Sequence, residues 1–480
     1  MAVLNPDLEI ERTNFSWSDD ALGTYDATAL AEMVRTGERS PRELVEAAIS
    51  RAQSTSESLS GIAVEDFERA LEATNQPLRG PFAGVPTFIK DNTDVAGLPT
   101  RFGSAAIAAS DAKRTTPIAR LMFDLGMICL GKSTMPEFGF SASAEPVNRQ
   151  PTRNPFNLNY TSGGSSSGSA ALVAAGVVPL AHGNDGGGSI RIPAACCGLI
   201  GLKPSQGRLP DNPATRWMPV QIVCEGVLTR SVRDTVRFYE AAETRFKNAK
   251  LPPFGSDHPR TNRRLRIGWL HHSRAEITDV DTRWAVDTTV ERLRELGHEL
   301  VEVSHPVTSQ FAADFTLYWM FLAGTVHHLG RPLFGTAFNP TRLSEMTLGM
   351  SREFRRQFYR LPGAIGRLRQ SGKRFSDSMQ VQKIDLLLTP VTTLSATPLG
   401  FLGEDLPYDT LFERLRQFAG FTPLANAAGT PAVSLPVGKT HRNVPLGIQL
   451  AADQGGEAEL LDVALELEAS GLTAMNAQPT

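Results

Sequence analysis

Cysteine is scarce: the 480-residue chain holds four, Cys129, Cys196, Cys197 and Cys224. Adjacent Cys196 and Cys197 are poorly placed to bond to each other. No pair has C-x-x-C spacing, and no Cys/His cluster has the spacing of a zinc site. A disulfide framework and a cysteine-built metal centre are excluded, and buried free thiols in a reducing compartment are expected. An excess of charge is lacking too. A formal net charge of −3 gives no reason to expect nucleic acid or an anionic membrane as partner. No apolar run reaches the ~18 residues that span a bilayer. The N-terminus carries Asp7, Glu9, Glu11 and Arg12 and lacks the apolar stretch of a signal peptide. A cytoplasmic, soluble protein is the expectation. Repeats and low-complexity tracts are also missing.

What remains is ordinary globular composition, 41% hydrophobic and 21% charged. Residues 1–25 read as an irregular polar arm. Helical spacing covers Ala27–Arg35, with Gly37 beyond it. Ser40-Pro41 then opens a second helix to about Gln53, serine as cap and proline at the first position. Thr87-Phe88-Ile89 is a short apolar strand with Lys90 at its end. Pro117–Leu125 predicts a helix, Met127–Leu130 a strand, and 136–160 mostly loop. Ser169–Val178 is small and apolar throughout, as in a buried helix. Residues 185–210 read as turns with little regular structure. A polar shift with three prolines falls at 245–265. A β-α-β unit follows, with strands Leu265–Leu270 and Leu300–Val303 around a helix Asp281–Leu296. Residues 310–382 are helical and arginine-rich. Asp385–Leu388 and Pro431–Pro436 read as late strands and Glu457–Ala469 as a closing helix. Strands alternating with helices over the whole length predict an α/β sheet covered on both faces.

Three motifs compete to explain the chemistry. Gly126–Ser133 matches G-x-x-x-x-G-K-[ST], with Lys132 as its lysine. That phosphate cradle needs a strand before its first glycine and a helix after its serine. Here a helix precedes, Pro136 follows, and the four middle residues are apolar. Gly164–Gly168 matches G-x-S-x-G. That elbow needs an apolar strand upstream and a later acid and histidine. The upstream stretch Asn157–Ser162 is polar, and none of the nine histidines stands in a triad context. The third reading joins Lys90 to two glycine-serine runs, 163–169 and Gly186-Gly187-Gly188-Ser189.

The third reading carries a family resemblance. The motifs are Gly84-Val85-Pro86-Thr87-Phe88-Ile89-Lys90-Asp91, Leu130–Phe138, Asn154-Pro155, the run 163–169, and Gly186–Ala194. Cys197-Gly198, Gly201-Leu202-Lys203-Pro204, Leu387–Pro390 and Gly429–Ala432 continue it. In this order the chain resembles the amidase signature family, especially actinobacterial and mycobacterial-type amidases, over about 80 to 450. Two departures stand out. Gly183-Asn184-Asp185-Gly186 replaces a usual Gly-Thr-Asp-Thr, and Ser-Ser-Ser-Gly replaces Ser-Ser-Gly-Gly. Both bear on pocket shape.

The resemblance implies the amidase-signature α/β fold, a large mixed β-sheet covered by helices on both faces, as one domain over 1–480. Within it, 1–60 is an arm with helices, 61–240 the signature core, 245–382 a variable substrate-shaping region, and 383–480 a return to the core. It implies Ser189 as nucleophile, Ser165 as bridge after a cis Gly164–Ser165 bond, and Lys90 as base. Lysine ordinarily titrates at about 10.4 and must fall to ~7–8 to serve. The N–H groups of Gly186, Gly187, Gly188 and Ser189 are expected to hold the oxyanion, each donor being worth ~3 kcal/mol in the transition state. Gly164, Asp185 and Arg191 are structural support, with Asp185 and Arg191 expected to pair with each other or with nearby backbone and so hold the loop rigid. Phe140 and Ser141 are expected at the substrate cleft. Phe138 is expected in the core, as are Phe315, Trp319, Met320 and Phe321. The expected activity is amide hydrolysis through an acyl-enzyme, on aryl or hydrophobic amides and related esters and carbamates. It needs no metal or cofactor. The expected partner is a small-molecule substrate, with the chain a monomer or homodimer. The alternatives are an amidotransferase-type subunit working in a complex and a nucleotide-binding protein using Lys132.

Overall fold

The computed structural model describes residues 13–255, 263–273 and 278–473. Part of the expected arm, 1–12, and part of the polar shift, including Pro259, lie outside the described residues. Thirteen strands occur among them: β1 Ile62–Glu65, β2 Pro86–Lys90, β3 Ile128–Ser133, β4 Arg153–Asn154, β5 Asn157–Thr161, β6 Leu180–Asp185, β7 Ile200–Lys203, β8 Cys224–Thr229, β9 Arg266–Trp269, β10 Glu299–Glu302, β11 Leu386–Pro390, β12 Ala432–Lys439 and β13 Pro445–Ala451. Eight of them form the main sheet in the order β10-β9-β11-β13-β12-β7-β8-β6. β9 is parallel to β10 and β11, and the remaining neighbours are antiparallel, so the sheet is mixed. The expected β-α-β unit is its parallel edge, β9 and β10 around the helix Val280–Glu295.

A second sheet has the order β1-β3-β2. Its edge strand β2 lies against β6, the edge of the main sheet. Side chains cross this seam. Thr87 Oγ1 donates to the Leu180 carbonyl at 3.1 Å, and the Lys90 N–H donates to His182 Nδ1 at 3.2 Å. The helix Ser167–Ala174 packs behind the seam with all eight residues buried. Its Ser169 hydroxyl donates to the His182 carbonyl at 2.6 Å and so satisfies a buried acceptor.

Local sequence explains most helix ends. Ser40 and Glu43 form a capping box, and the helix they open runs Pro41–Leu59, past the expected Gln53. Gly37 ends Ala27–Thr36 in the left-handed conformation. The closing helix Glu457–Ala469 has the bounds its periodicity predicts. Two stretches differ from expectation. The 136–160 loop contains the hairpin β4–β5. The glycine-rich 185–210 region holds a helix, Arg191–Cys196, and β7. Every residue of that helix is buried, so packing on β12 and β13 holds it in place of solvent-facing periodicity. No helix among the described residues is long and apolar enough to cross a membrane.

Candidate active site

Lys90 closes β2 with its side chain wholly buried. Its Nζ donates to Ser165 Oγ at 2.7 Å and to Asn184 Oδ1 at 2.8 Å, with the Asn184 carbonyl at 3.5 Å. Burial penalises the ammonium and outweighs the opposing charges of Glu225 and Asp185. The amine is brought from its usual 10.5 down to about 7. Asn184 is one of the residues at which the chain departs from the usual family sequence. It offers two acceptors, so that when the ammonium, which donates to Ser165 as well, gives up a proton, the two remaining N–H groups can stay on Asn184 and the lone pair is left for Ser165.

Ser165 follows a cis peptide bond from Gly164 and is buried. The turn is tight. A Cβ on Gly164 would lie 2.7 Å from the Ala142 carbonyl carbon and 2.8 Å from Ser143 N. The neighbouring serines are structural. Ser166, the serine of the hydrolase elbow, is buried and reaches the Asn184 carbonyl at 3.4 Å, and Ser167 Oγ donates to the Gly163 carbonyl at 2.6 Å.

Ser189 lies half-buried just past the end of β6. Its carbonyl accepts from the Ser166 N–H at 3.2 Å, and its hydroxyl and that of Ser165 line the same cavity. Among the described residues the Ser189 hydroxyl forms no hydrogen bond, so of the three expected residues only Lys90 and Ser165 are directly bonded. Gly186 and Gly187 line this cavity too, and among the described residues their N–H groups and that of Ser189 have no hydrogen-bond acceptor. The Gly188 N–H is not available. It donates to Asp185 Oδ1 at 2.7 Å, which corrects the expected set of four donors to three.

Asp185 and Arg191 are paired, both wholly buried. Arg191 Nε and Nη2 donate to the two carboxylate oxygens at 3.0 and 2.9 Å. The Ile190 and Arg191 N–H groups add to Oδ2, and Asn426 Nδ2 adds to Oδ1 at 2.9 Å. Burial would raise this carboxyl, but the Arg191 guanidinium and the hydrogen bonds hold it well below the usual carboxylate range. Arg191 reaches on to Gln449 and Asn426, each at 2.6 Å. Thr422 Oγ1 donates to the Gly187 carbonyl at 2.6 Å. The glycine loop is thus tied to the late strands and to Asn426 and Thr422. Sequence reasoning missed these two and Asn184, which stand outside its recognised motifs or count there as departures.

The cavity has a volume of about 480 Å³. Phe140 and Ser141 line it as expected. Phe138, Phe315 and Trp319 pack in or against the core as expected and line the cavity as well, while Met320 and Phe321 pack in the core and do not line it. Phe138 takes a left-handed backbone, φ 49°, which turns its ring toward Phe140 and Phe334. Phe315 and Trp319 fall four apart on the long helix Gln310–Phe334, on the face turned to the cavity. The Lys132 motif is not a phosphate loop. Lys132 sits inside β3 between β1 and β2, fully buried, with Nζ 3.0 Å from Thr100 Oγ1 and 3.5 Å from Asp91.

The sequence model of the Amidase family matches residues 43–461. The chain belongs to the amidase signature family. It is 47% identical over 456 residues to "Putative amidase AmiC" of Mycobacterium tuberculosis, covering 94% of this chain and 95% of that one. It is 32% identical over 475 residues to the 6-aminohexanoate-cyclic-dimer hydrolase of Paenarthrobacter ureafaciens, covering 92% and 94%. The solved structure of a 6-aminohexanoate cyclic dimer hydrolase complexed with substrate superposes with a TM-score of 0.85 at 28% identity, covering 96% and 98%. This amidase is an amide-hydrolysing enzyme with the α/β fold of its family.

Proposed function

We propose that the enzyme cleaves uncharged aryl or hydrophobic amides through a Lys90–Ser165–Ser189 relay and an acyl-enzyme. Related esters and carbamates fall within the same chemistry. The observation that carries this reading is a wholly buried amine, poised near neutrality and hydrogen-bonded to Ser165 Oγ, on a cavity that Ser189 shares. With its two N–H groups directed at Asn184, neutral Lys90 accepts the Ser165 proton while Ser165 accepts that of Ser189. Ser189 Oγ attacks the amide carbonyl. The tetrahedral oxyanion rests on the N–H groups of Gly186, Gly187 and Ser189, each worth about 3 kcal/mol. The relay returns the proton to the leaving amine, and water then hydrolyses the ester by the same path. Asp185 and Arg191 hold the loop and do not touch substrate.

The lining supports the substrate class. A 480 Å³ cavity suits a small drug-sized amide. Among the described residues Arg416, paired with Glu413 at 2.8 Å, is the one charged side chain of the lining, and none of them brings a carboxylate to it. The ammonium of a free glutamine would find no counter-charge, which disfavours the amidotransferase-type reading. The test is a nitroanilide panel assayed with wild type and Ser189→Ala. Turnover should vanish in the variant, and a fluorophosphonate should add its mass to Ser189 alone. Equal turnover by both proteins refutes the assignment.

A further inference from the structure

Two buried side chains beside Lys90 have no part in the relay. His182 is wholly buried on β6, and its Nδ1 accepts the Lys90 backbone N–H at 3.2 Å. An accepting Nδ1 leaves the ring proton on Nε2, which donates to Glu225 Oε2 at 2.9 Å. Glu225, 3% exposed, stands on β8 as the register partner of Asn184. Paired residues share a sheet face, and diagonal neighbours lie within reach of long side chains. One face of the β6–β8 pair therefore carries His182, Asn184 and Glu225 toward the amine. Asp185, one residue further along β6, points to the other face, where Arg191 neutralises it.

Glu225 is unusual in a second respect. Its Oε1 is buried and has no hydrogen-bond partner among the described residues. A buried carboxylate oxygen left unpaired is costly, and such groups ask for a role. The groups facing it are His182 from β6, Lys90 from β2 and half-buried Asp211 from the loop after β7. Asp91, next to Lys90 on the chain, is taken up by Lys132. Among the described residues Glu225 is thus the carboxylate acting on Lys90 that has no Arg or Lys of its own, since Asp185 is paired with Arg191.

We propose that Glu225, acting through His182, is a positioning residue of the relay described above: it fixes the imidazole that anchors the Lys90 backbone across the seam, and it sets a carboxylate on the sheet face that meets Lys90. The inference rests on Lys90 being the base. Its consequence is that Glu225 sets the lower edge of the working pH range.

The test compares kcat/KM–pH profiles on one neutral nitroanilide. Glu225→Gln keeps a carbonyl acceptor for His182 Nε2–H and removes the charge. Its acid limb should move down by about one pH unit or more. Glu225→Asp keeps the charge and should hold the limb at the wild-type position. His182→Phe removes the acceptor for the Lys90 N–H and should lower kcat with KM held. Circular dichroism and fluorophosphonate titration normalise each variant to folded, active sites. Superimposed limbs for wild type and Glu225→Gln, with Lys90→Met inactive, overturn this proposal alone. Turnover retained in Lys90→Met overturns the base assignment and this proposal with it.

Discussion

As the proposed base, Lys90 would trade stability for reactivity. In the unfolded chain it holds a proton up to about pH 10.5, and in the fold it releases that proton near 7. Between these values the unfolded state binds more protons, so stability rises with pH. The cost of enclosing the ammonium is fully present below pH 7 and is relieved as pH climbs toward 10.5. Lys90→Met removes this dependence. Denaturant unfolding should show the variant gaining on wild type by roughly 4–5 kcal/mol on going from pH 10.5 down to pH 6. Parallel stability–pH curves for the two proteins would contradict the shift. The same titration should appear in catalysis, kcat/KM rising through about pH 7 as the amine loses its proton. The role of this residue as base came from the family resemblance, and its burial was legible from its place at the end of an apolar strand. Asn184 was not, because a polar residue within Leu180–Asp185 reads as a loop until the packing of β2 against β6 gives it a partner.

The glycine loop after β6 is the element in which neighbouring residues have unlike tasks. Gly188 has φ 130°, and a Cβ there would lie 2.3 Å from Thr422 Oγ1 and 2.7 Å from Ile192 Cδ1. Gly188→Ala should therefore lower the melting temperature as well as activity. A Cβ on Gly187 would meet only the Phe315 ring, at 3.6 Å, an ordinary contact. Gly187→Ala should keep the wild-type melting temperature and lose activity most on bulky acyl groups. The reverse order of thermal effects would contradict this division. Asp185→Asn leaves the buried Arg191 guanidinium short of its counter-charge, at an expected cost of about 3–5 kcal/mol in denaturant unfolding. An unchanged midpoint would show that the pair does not hold the loop. The positions of Asp185 and Arg191 around the glycines left two partners open, each other or nearby backbone, and the carboxylate takes both. The strands β6, β8 and β13 were not legible, because each is buried along its whole length and shows no alternation to read. Helices with one exposed face, such as Glu457–Ala469, announce themselves by period, and those bounds agree.

At the scale of the molecule, the proposed chemistry sits where two sheets meet. Lys90 ends the edge strand of one, and the glycine loop follows the edge strand of the other. The long helix Gln310–Phe334 then roofs the seam with Phe315 and Trp319. Helical spacing alone does not say which side of such a helix faces a cavity, so sequence reasoning assigned these rings to the core. The roof makes the site largely apolar, and this governs which amides can enter. An ammonium on the acyl chain would lose its water without meeting a carboxylate, and it would lie near Lys90 and Arg416, both cationic or able to be so. Burying an unpaired charge costs several kcal/mol, and each 1.4 kcal/mol is tenfold in rate constant. Hexanoyl-4-nitroanilide should therefore be cleaved at least about 100-fold faster, in kcat/KM, than 6-aminohexanoyl-4-nitroanilide at pH 8. The gap should narrow as pH approaches the substrate amine's own pKa, because the neutral amine enters at little cost. Equal rates at pH 8, or a ratio that does not change with pH, would mean that the substrate's far end stays in water and that the aromatic roof does not enclose it.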